Sequence, residues 1–191
     1  MHADAFLQEA AGIAAEIDRA QVERLATALA ELRERGGRLF LIGLGGSAAN
    51  CTHAAADLRT LCEIDAYSLC DSFDEFSAFA NDVSFDSAFW SMLSARNLSD
   101  KDAIFILSVG GATDSVSRPI SNALWCAKYR EARIYGIVGH NGGYTAEMGD
   151  VVIRIPSVND KHVTPHTEAF QAVVWHCLVS HPLLQRKATK W

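Results

Sequence analysis

The sequence predicts an α/β protein, a three-layer sandwich in which a five-stranded parallel sheet is flanked by helices, with a long helix at the N-terminus. Short apolar runs alternate along the chain with longer segments of helical hydrophobic period. The runs are apolar throughout, which is typical of strands buried on both faces. Alternation of such strands with helices produces a parallel sheet that carries helices on both faces.

The N-terminal segment 4–35 has apolar residues at helical spacing and is ended by Gly36-Gly37, so we expect one long helix, broken at most once. The apolar runs that predict strands are 38–43, 66–70, 103–109, 133–138 and 151–155. Helical hydrophobic period predicts the remaining helices at 47–62, 84–98, 115–130 and 168–179.

Length and composition are those of one globular domain. Of the 191 residues, 49% are hydrophobic and 21% are charged, which is enough to build a proper core. We expect a single domain over 1–191, in which 1–35 is an oligomerisation helix and 36–191 is the α/β core. The net charge of −6 argues against general binding to nucleic acid or to an anionic membrane, since either would need a basic surface.

The character of the N-terminal residues and the usage of cysteine both favour a cytoplasmic protein. Residues 1–20 are amphipathic and acidic and contain no uninterrupted apolar stretch, so we expect neither a signal peptide nor a membrane span. The five cysteines are odd in number and form no CxxC pair. This usage favours reduced, packing thiols over disulfides or a structural zinc site.

Four side chains of metal-binding type form two pairs on predicted helices. His53 and Asp57 are four residues apart, so they project from one helix face and could bind a divalent ion together. Glu168 and His176 are eight residues apart, a rise of ~12 Å along a regular helix, and would have to reach toward each other to share an ion. Each pair alone is also compatible with a buried polar pair or a solvated helix face.

Two glycine-rich loops follow predicted strands. The first, 43–47, reads Gly-Leu-Gly-Gly-Ser and opens the helix that carries His53; the second, 108–113, reads Ser-Val-Gly-Gly-Ala-Thr. Ligand sites lie at the carboxyl ends of parallel strands, and glycines and a helix N-terminus let backbone N–H groups approach an anion. Both loops therefore suit a phosphate or a cluster of sugar hydroxyls, although either alone could be only a tight turn. The first loop is neither a dinucleotide fingerprint nor a Walker A loop.

Taken together, these motifs resemble a known family, the sugar isomerase (SIS) fold, and within it the phosphoheptose isomerase branch. The similarity covers nearly the whole chain. The residues that follow the family's order and spacing are the 43–47 loop, His53 with Asp57, Asn81-Asp82, the 108–113 loop, and Glu168 with His176. The resemblance implies a homotetramer with active sites at subunit interfaces, which converts sedoheptulose 7-phosphate to a heptose 7-phosphate, often with zinc.

The resemblance also implies roles for particular residues. The implied zinc ligands, for one ion per chain, are His53, Asp57, Glu168 and His176. Asp57 and His176 would share the acid/base work, with Glu168 as an alternative base. The implied substrate-binding residues are Gly45, Gly46, Ser47, Asn81, Asp82, Ser108, Gly110, Gly111 and Thr113.

The chain departs from the family pattern at the ligands and at both loops. The family has glutamate at Asp57, glutamine at Glu168 and asparagine at Leu44. Its second loop carries two further hydroxyls that are missing here, and Asp114 adds a negative charge where a phosphate would sit. Alternatively, Thr113 or Asp114 simply caps the helix predicted from residue 115.

Two other functions remain open at this level. A related SIS branch consists of tetrameric binders of the bacterial replication initiator without isomerase chemistry; the altered phosphate loop favours such a role, whereas His53 and His176 argue against it. The chain could also be an isomerase for an altered sugar substrate. Among the remaining histidines, two are candidates for lining the site, His140 and His166. The other three are interpreted as loop or surface residues: His2, His162 and His181.

Overall fold

The computed structural model describes residues 1–190, in which five parallel strands form one sheet of order β2-β1-β3-β4-β5. The strands are β1 (Arg38–Ile42), β2 (Asp65–Ser68), β3 (Ala103–Ser108), β4 (Arg133–Val138) and β5 (Val151–Arg154). All four strand pairs are parallel, and every residue of the central strand β3 is buried. The predicted five-stranded parallel sheet is confirmed.

Eight α-helices within residues 1–190 flank this sheet. They are α1 (His2–Glu16), α2 (Arg19–Glu34), α3 (Gly46–Cys62), α4 (Phe73–Asp82), α5 (Ala88–Ala95), α6 (Arg118–Tyr129), α7 (Gly143–Met148) and α8 (Val163–Val179). Two 3-10 turns, Phe85–Ser87 and Asp160–His162, precede α5 and α8.

The core consists of two apolar layers, one on each face of the sheet. Strand β1 feeds both, because successive side chains of a strand point to opposite faces. Leu39 and Leu41 belong to the layer under α2, α3 and α8, whereas Phe40 and Ile42 belong to the layer under α5 and α6. The arrangement of helices, sheet and helices is the predicted three-layer sandwich.

The predicted long N-terminal helix is two helices with a break at residues 17–18. Asp18 caps α2 by accepting a 3.2 Å hydrogen bond from the Gln21 N–H. The apolar stripe of α2, including Leu25 and Leu29, is fully buried in the chain's own core. An exposed apolar stripe would have been a reason to expect that other copies of the chain cover this helix. Because the chain's own core already covers the stripe of α2, that reason does not apply to α2. A role of segment 1–35 in oligomerisation stays a prediction that concerns α1.

Three further boundaries differ from the sequence predictions. The helix predicted from residue 115 begins at Arg118 with Ser117 at its N-cap position, so neither Thr113 nor Asp114 caps it. The helix predicted from 168 begins at Val163, because Pro165 lies in its first turn, where a missing N–H costs little. The predicted helix 84–98 is a 3-10 turn followed by α5, and α4 and α7 lie outside the predicted helices.

A partly buried ion pair fixes the start of β1. Asp102 is 2% exposed and binds Arg38 through Nη2 at 2.7 Å and Nε at 3.1 Å. Burial alone would raise the pKa of the Asp102 carboxyl, but hydrogen bonds from Arg38 and Ser99 outweigh it and lower that pKa below its ordinary value of 3.8. The charged pair thus joins β1 to the turn before β3.

All five cysteines lie in the described part of the chain and are free thiols, as predicted. Among residues 1–190, no helix has the length and apolarity needed to cross a membrane.

Candidate active site

Both glycine-rich loops lie at one edge of the sheet. The 43–47 loop follows β1 and the 108–113 loop follows β3, and these two strands are neighbours. The chain order of the strands reverses between them, with β2 on one side and β4 and β5 on the other. In open parallel sheets, the crevice at such a reversal is the usual ligand site.

The first loop passes directly into α3. Gly45 is the N-cap residue, with φ 60° and ψ −131°, a conformation that residues with side chains rarely adopt. Ser47 is buried, while Gly45 and Gly46 are exposed. Leu44, where the family has asparagine, borders an apolar cavity of about 270 Å³ that Phe73, Phe76 and Phe89 also line. The exposed backbone at the start of α3 is therefore free to meet a ligand.

The structure brings together three of the four predicted metal ligands. His53 and Asp57 lie on α3, and His176 lies on α8. One ligand atom from each lies within 4.8 Å of the other two. His53 Nε2 is 3.6 Å from Asp57 Oδ2, and the rings of His53 and His176 have centroids 5.5 Å apart.

Asn50 joins the two helices that carry this cluster. Its side-chain amide donates to the main-chain carbonyl of Glu168 at 2.9 Å and to Gln171 Oε1 at 3.1 Å. Because Asn50 lies about one turn before His53 on α3, this contact sets the approach of α8 to that face. The approach of His176 to His53 and Asp57, more than a hundred residues away in the sequence, is thus supported by a specific polar contact.

The His176 ring is oriented by its neighbours. Its Nδ1 is 2.7 Å from the Ala172 carbonyl, which can only accept, so Nδ1 carries the proton. Nε2 of the neutral ring then keeps its lone pair, the arrangement usual for a metal-binding histidine. The ring also stacks on buried Trp175 with centroids 3.5 Å apart. Orientation and tautomer both prepare His176 to bind a metal.

Glu168 lies away from this cluster. It is two helical turns before His176 in the regular helix α8, and it is not one of the three residues whose ligand atoms converge. Its carboxylate lies against Gly46 instead, where a β-carbon would be only 2.5 Å from Oε2. The half-buried carboxylate of Glu168 therefore faces the start of α3 and the first glycine loop.

The donor set of the cluster fits a divalent metal of zinc type. Two imidazole nitrogens and one carboxylate oxygen are the protein ligands of many catalytic zinc sites, which keep a further position open for water or substrate. His53 is 62% exposed and Asp57 is 25% exposed, so such an open position would be reachable from solvent. The cluster is a candidate metal site among residues 1–190.

The second loop is held by its own hydrogen bonds. The Ser108 hydroxyl accepts from the Gly111 N–H at 3.1 Å, and Gly111, with φ 69°, packs against the backbone of Gly142. The Thr113 hydroxyl accepts from the N–H groups of Ser115 and Val116 at 3.3 and 3.1 Å. Thr113 is therefore engaged within the loop.

Gly110, the other glycine of the second loop, has open space around it. No atom lies within 4 Å of the position that a β-carbon on Gly110 would take. A ligand could therefore approach the backbone of this loop closely at that position.

Asp114 is exposed and accepts a hydrogen bond from the Tyr144 hydroxyl, which raises the pKa of that phenol. Asn81 and Asp82 form the exposed C-terminal end of α4, where the Asn81 amide donates to Asp82 at 2.8 Å. They are not in the lining of the cavity beside Leu44. Neither residue is among the three whose ligand atoms converge in the metal cluster.

A second histidine cluster was missed by the sequence analysis. His166 is buried and His162 is half-buried, and both contact Glu9 of α1. His162 lies in the 3-10 turn before α8, consistent with its interpretation as a loop residue, but its contact with Glu9 was not predicted. The only signal in the sequence was the spacing of four between the two histidines, because their partner is some 150 positions away. His140 is exposed after β4, and His181 binds Glu23 at 2.9 Å.

Comparison with known proteins agrees with this fold. A family model described as the SIS domain matches residues 5–139, and the chain belongs to this family. Its curated relatives include phosphoheptose isomerases. That of Rhodospirillum rubrum is 32% identical over 148 residues, 75% of this chain and 74% of the relative. That of Syntrophotalea carbinolica is 28% identical over 179 residues, 90% of this chain and 87% of the relative.

Solved structures support the same fold. The phosphoheptose isomerase of Neisseria gonorrhoeae superposes with a TM-score of 0.83 at 23% identity, covering 93% of this chain and 95% of its own. At that identity the likeness concerns the fold.

Proposed function

We propose that the chain is an aldose–ketose isomerase that acts on a sugar phosphate, with sedoheptulose 7-phosphate as substrate, a heptose 7-phosphate as product and zinc as cofactor. The observation that carries this proposal is the convergence of His53, Asp57 and His176 on α3 and α8, since α3 is the helix that begins at the first glycine loop. The relatives named phosphoheptose isomerase supply the substrate class.

The reaction moves a carbonyl between C2 and C1 of the sugar. It needs one group to take a proton from one carbon and return it to the next, while another centre steadies the enediolate oxygens. Zinc held by His53, Asp57 and His176 would supply that stabilisation of negative charge, one ion per chain.

We assign the proton transfer to Glu168. A carboxylate bound to a metal is strongly held in its ionised form and accepts protons poorly, whereas one that is free nearby keeps a usable basicity. Asp57 lies within the cluster, and Glu168 lies outside it against Gly46. The Glu168 carboxylate is long enough to move between the two carbons. The His176 ring is held in the cluster by its Nδ1–H, which donates to the Ala172 carbonyl.

Phosphate binding would fall to the backbone at the two loops. At the N-terminus of α3, Gly45 has open space around it and lies at the positive dipole end of the helix. Gly110 leaves open space in the second loop. The second loop has no side-chain hydroxyl at Val109 or Gly110 to donate to a phosphate, and the exposed charge of Asp114 opposes a phosphate dianion. We therefore propose weaker phosphate binding than the family pattern implies, with Asn81 and Asp82 as contacts for sugar hydroxyls.

We further propose a homotetramer in which neighbouring chains complete each site. A groove of about 330 Å³ runs between the α1–α2 junction and α8, lined largely by apolar residues that include Ile17, Val22 and Phe170. Val173 at its edge is 54% exposed, next to the turn that carries His176. An exposed apolar groove beside an exposed metal cluster supports closure of the site by another copy.

The missing hydroxyls at Val109 and Gly110 and the exposed Asp114 also favour the two alternatives, a binding protein without catalysis or an isomerase for an altered sugar. The deciding experiment is metal analysis together with turnover of sedoheptulose 7-phosphate in D₂O. We expect product, solvent deuterium in the sugar, and loss of both in the His176→Ala variant. A folded, zinc-loaded protein that neither turns over this substrate nor exchanges its protons would contradict the proposal.

A further inference from the structure

The Glu9 cluster is a compact polar group outside the candidate active site. Glu9 Oε2 lies 2.7 Å from His162 Nδ1 and 2.8 Å from His166 Nε2. The side chain of His166 is 4% exposed, that of Glu9 17% and that of His162 26%. Glu9 Oε2 therefore contacts two imidazole nitrogens in a largely buried environment.

Surrounding residues hold this arrangement in place. Asn159 donates to the other carboxylate oxygen, Glu9 Oε1, at 2.7 Å, and its own Oδ1 accepts from the Lys161 N–H at 3.0 Å. Phe6 stacks on the His166 ring with centroids 4.2 Å apart. The carboxylate and both rings are thus oriented by partners of their own, as the ligands of metal sites are.

The charge and the donor atoms of the cluster suit a cation. The Glu9 carboxylate places an anionic oxygen 2.7 and 2.8 Å from the two imidazole nitrogens. Two neutral imidazoles and one carboxylate form a donor set found in zinc sites, and His162 and His166 have the spacing of four common in them. The three ligand atoms lie within 4.8 Å of one another.

We propose that Glu9, His162 and His166 form a second site for a divalent transition metal of zinc type, which fastens α1 to the start of α8. Tetrahedral bonds of ~2.1 Å place ligand atoms ~3.4 Å apart, so the side chains need to separate by only ~0.6 Å. Metal binding requires the neutral tautomers in which His162 Nδ1 and His166 Nε2 have lone pairs, so that the proton of each ring is on its other nitrogen. His162, with its side chain 26% exposed, is the side of the cluster that solvent reaches.

This second site does not depend on the proposed isomerase activity, and the two sites can be separated by mutation. In the His53→Ala/His176→Ala background, the first cluster is removed and any zinc bound with high affinity belongs to the second. The measurements are zinc affinity by competition with a chromophoric chelator, the visible spectrum of the Co²⁺ form, and the thermal unfolding midpoint with and without zinc.

In that background we expect one zinc per chain, a Co²⁺ spectrum of four-coordinate type and a higher unfolding midpoint with zinc. Glu9→Gln keeps a polar group that can meet Asn159 and should weaken zinc binding by more than ~10-fold, because even outer partners of a ligand are worth ~10–100-fold. Glu16→Gln, an exposed carboxylate on the same helix, is the matched control and should leave the affinity unchanged.

Absence of bound zinc in the background variant, or equal affinity in Glu9→Gln and Glu16→Gln, would overturn the second site. Circular dichroism checks that Glu9→Gln is folded. If it is not, His162→Ala serves in its place, since His162 is part-exposed at the edge of the cluster. Unchanged zinc affinity in that variant would overturn the site equally.

Discussion

The carboxylate of Glu168 and the backbone of Gly46 fit against each other only because position 46 has no side chain. We therefore expect Glu168→Gln to keep its zinc and to lose about 100-fold or more in kcat, the usual contribution of a general base. Asp57→Asn should lose zinc and activity together. Zinc content and steady-state kinetics distinguish these outcomes.

Gly46→Ala offers an independent check of the same contact. It would push the Glu168 carboxylate aside without touching the metal cluster, so kcat should fall while zinc remains. In the double variant with Glu168→Gln, the two losses should not add. If Glu168→Gln is as active as the parent chain, the base is Asp57 and not Glu168.

His53→Ala and His176→Ala should each remove one equivalent of zinc and abolish turnover. Loss of one ligand from a cluster of three removes much of the affinity. Metal analysis after gel filtration measures this loss. His181→Ala is the control, because His181 binds Glu23 and lies outside the cluster. Full zinc content in both cluster variants would show that these histidines do not bind the metal.

Asp114→Asn should lower KM for a phosphorylated substrate by about fivefold, since removal of one like charge from a partly solvated site is worth ~1 kcal/mol. Asp74→Asn, an exposed carboxylate in the first turn of α4, should leave KM unchanged. Initial rates at varied substrate concentration provide the measurement. An unaltered KM in Asp114→Asn would mean that this charge does not face the substrate.

Asp102→Asn should cost about 2–4 kcal/mol of folding free energy at pH 7, because it leaves the Arg38 guanidinium partly unpaired. The folded-state pKa of Asp102 is lowered, so its stabilisation is complete above pH 3.8 and is lost as pH falls below that value. Urea unfolding of parent and variant should therefore converge in acid. Glu34→Gln, which breaks an exposed pair with Arg186, should cost less than ~0.5 kcal/mol.

Light scattering at micromolar concentration should give four times the chain mass of 20.8 kDa. Val173→Asp would place a charge at the edge of the apolar groove and should lower that mass. A monomeric parent chain would rule out the tetramer and, with it, sites completed by neighbouring chains.

The sheet could be predicted from the sequence because its strands are buried on both faces and read as uninterrupted apolar runs. Strand β4 matches its predicted range of 133–138 at both ends. The break in the N-terminal helix was harder to place, because the apolar period continues across it and only the capping Asp18 marks it. The short helix α7 has just six residues, too few for a clear period.

The candidate site could be predicted only in part. The spacing of His53 and Asp57 reveals a shared helix face, but their approach to His176 depends on how α3 meets α8, which local pattern does not encode. The sequence could not decide between Asp57 and Glu168 as the base for the same reason. The contact of Glu9 with His162 and His166 could not be predicted from local pattern either, because it joins residues that are far apart in the sequence.

The break at residues 17–18 allows α1 to open independently of α2. Among the described residues 2–16 of this helix, only Ile13 is buried, and an isolated helix of fifteen residues is marginal in water. Its amides should therefore exchange with solvent through a local opening, at a free energy well below that of global unfolding. The rate of amide hydrogen exchange in α1 therefore reports how often the contacts of Glu9 with His162 and His166 are broken.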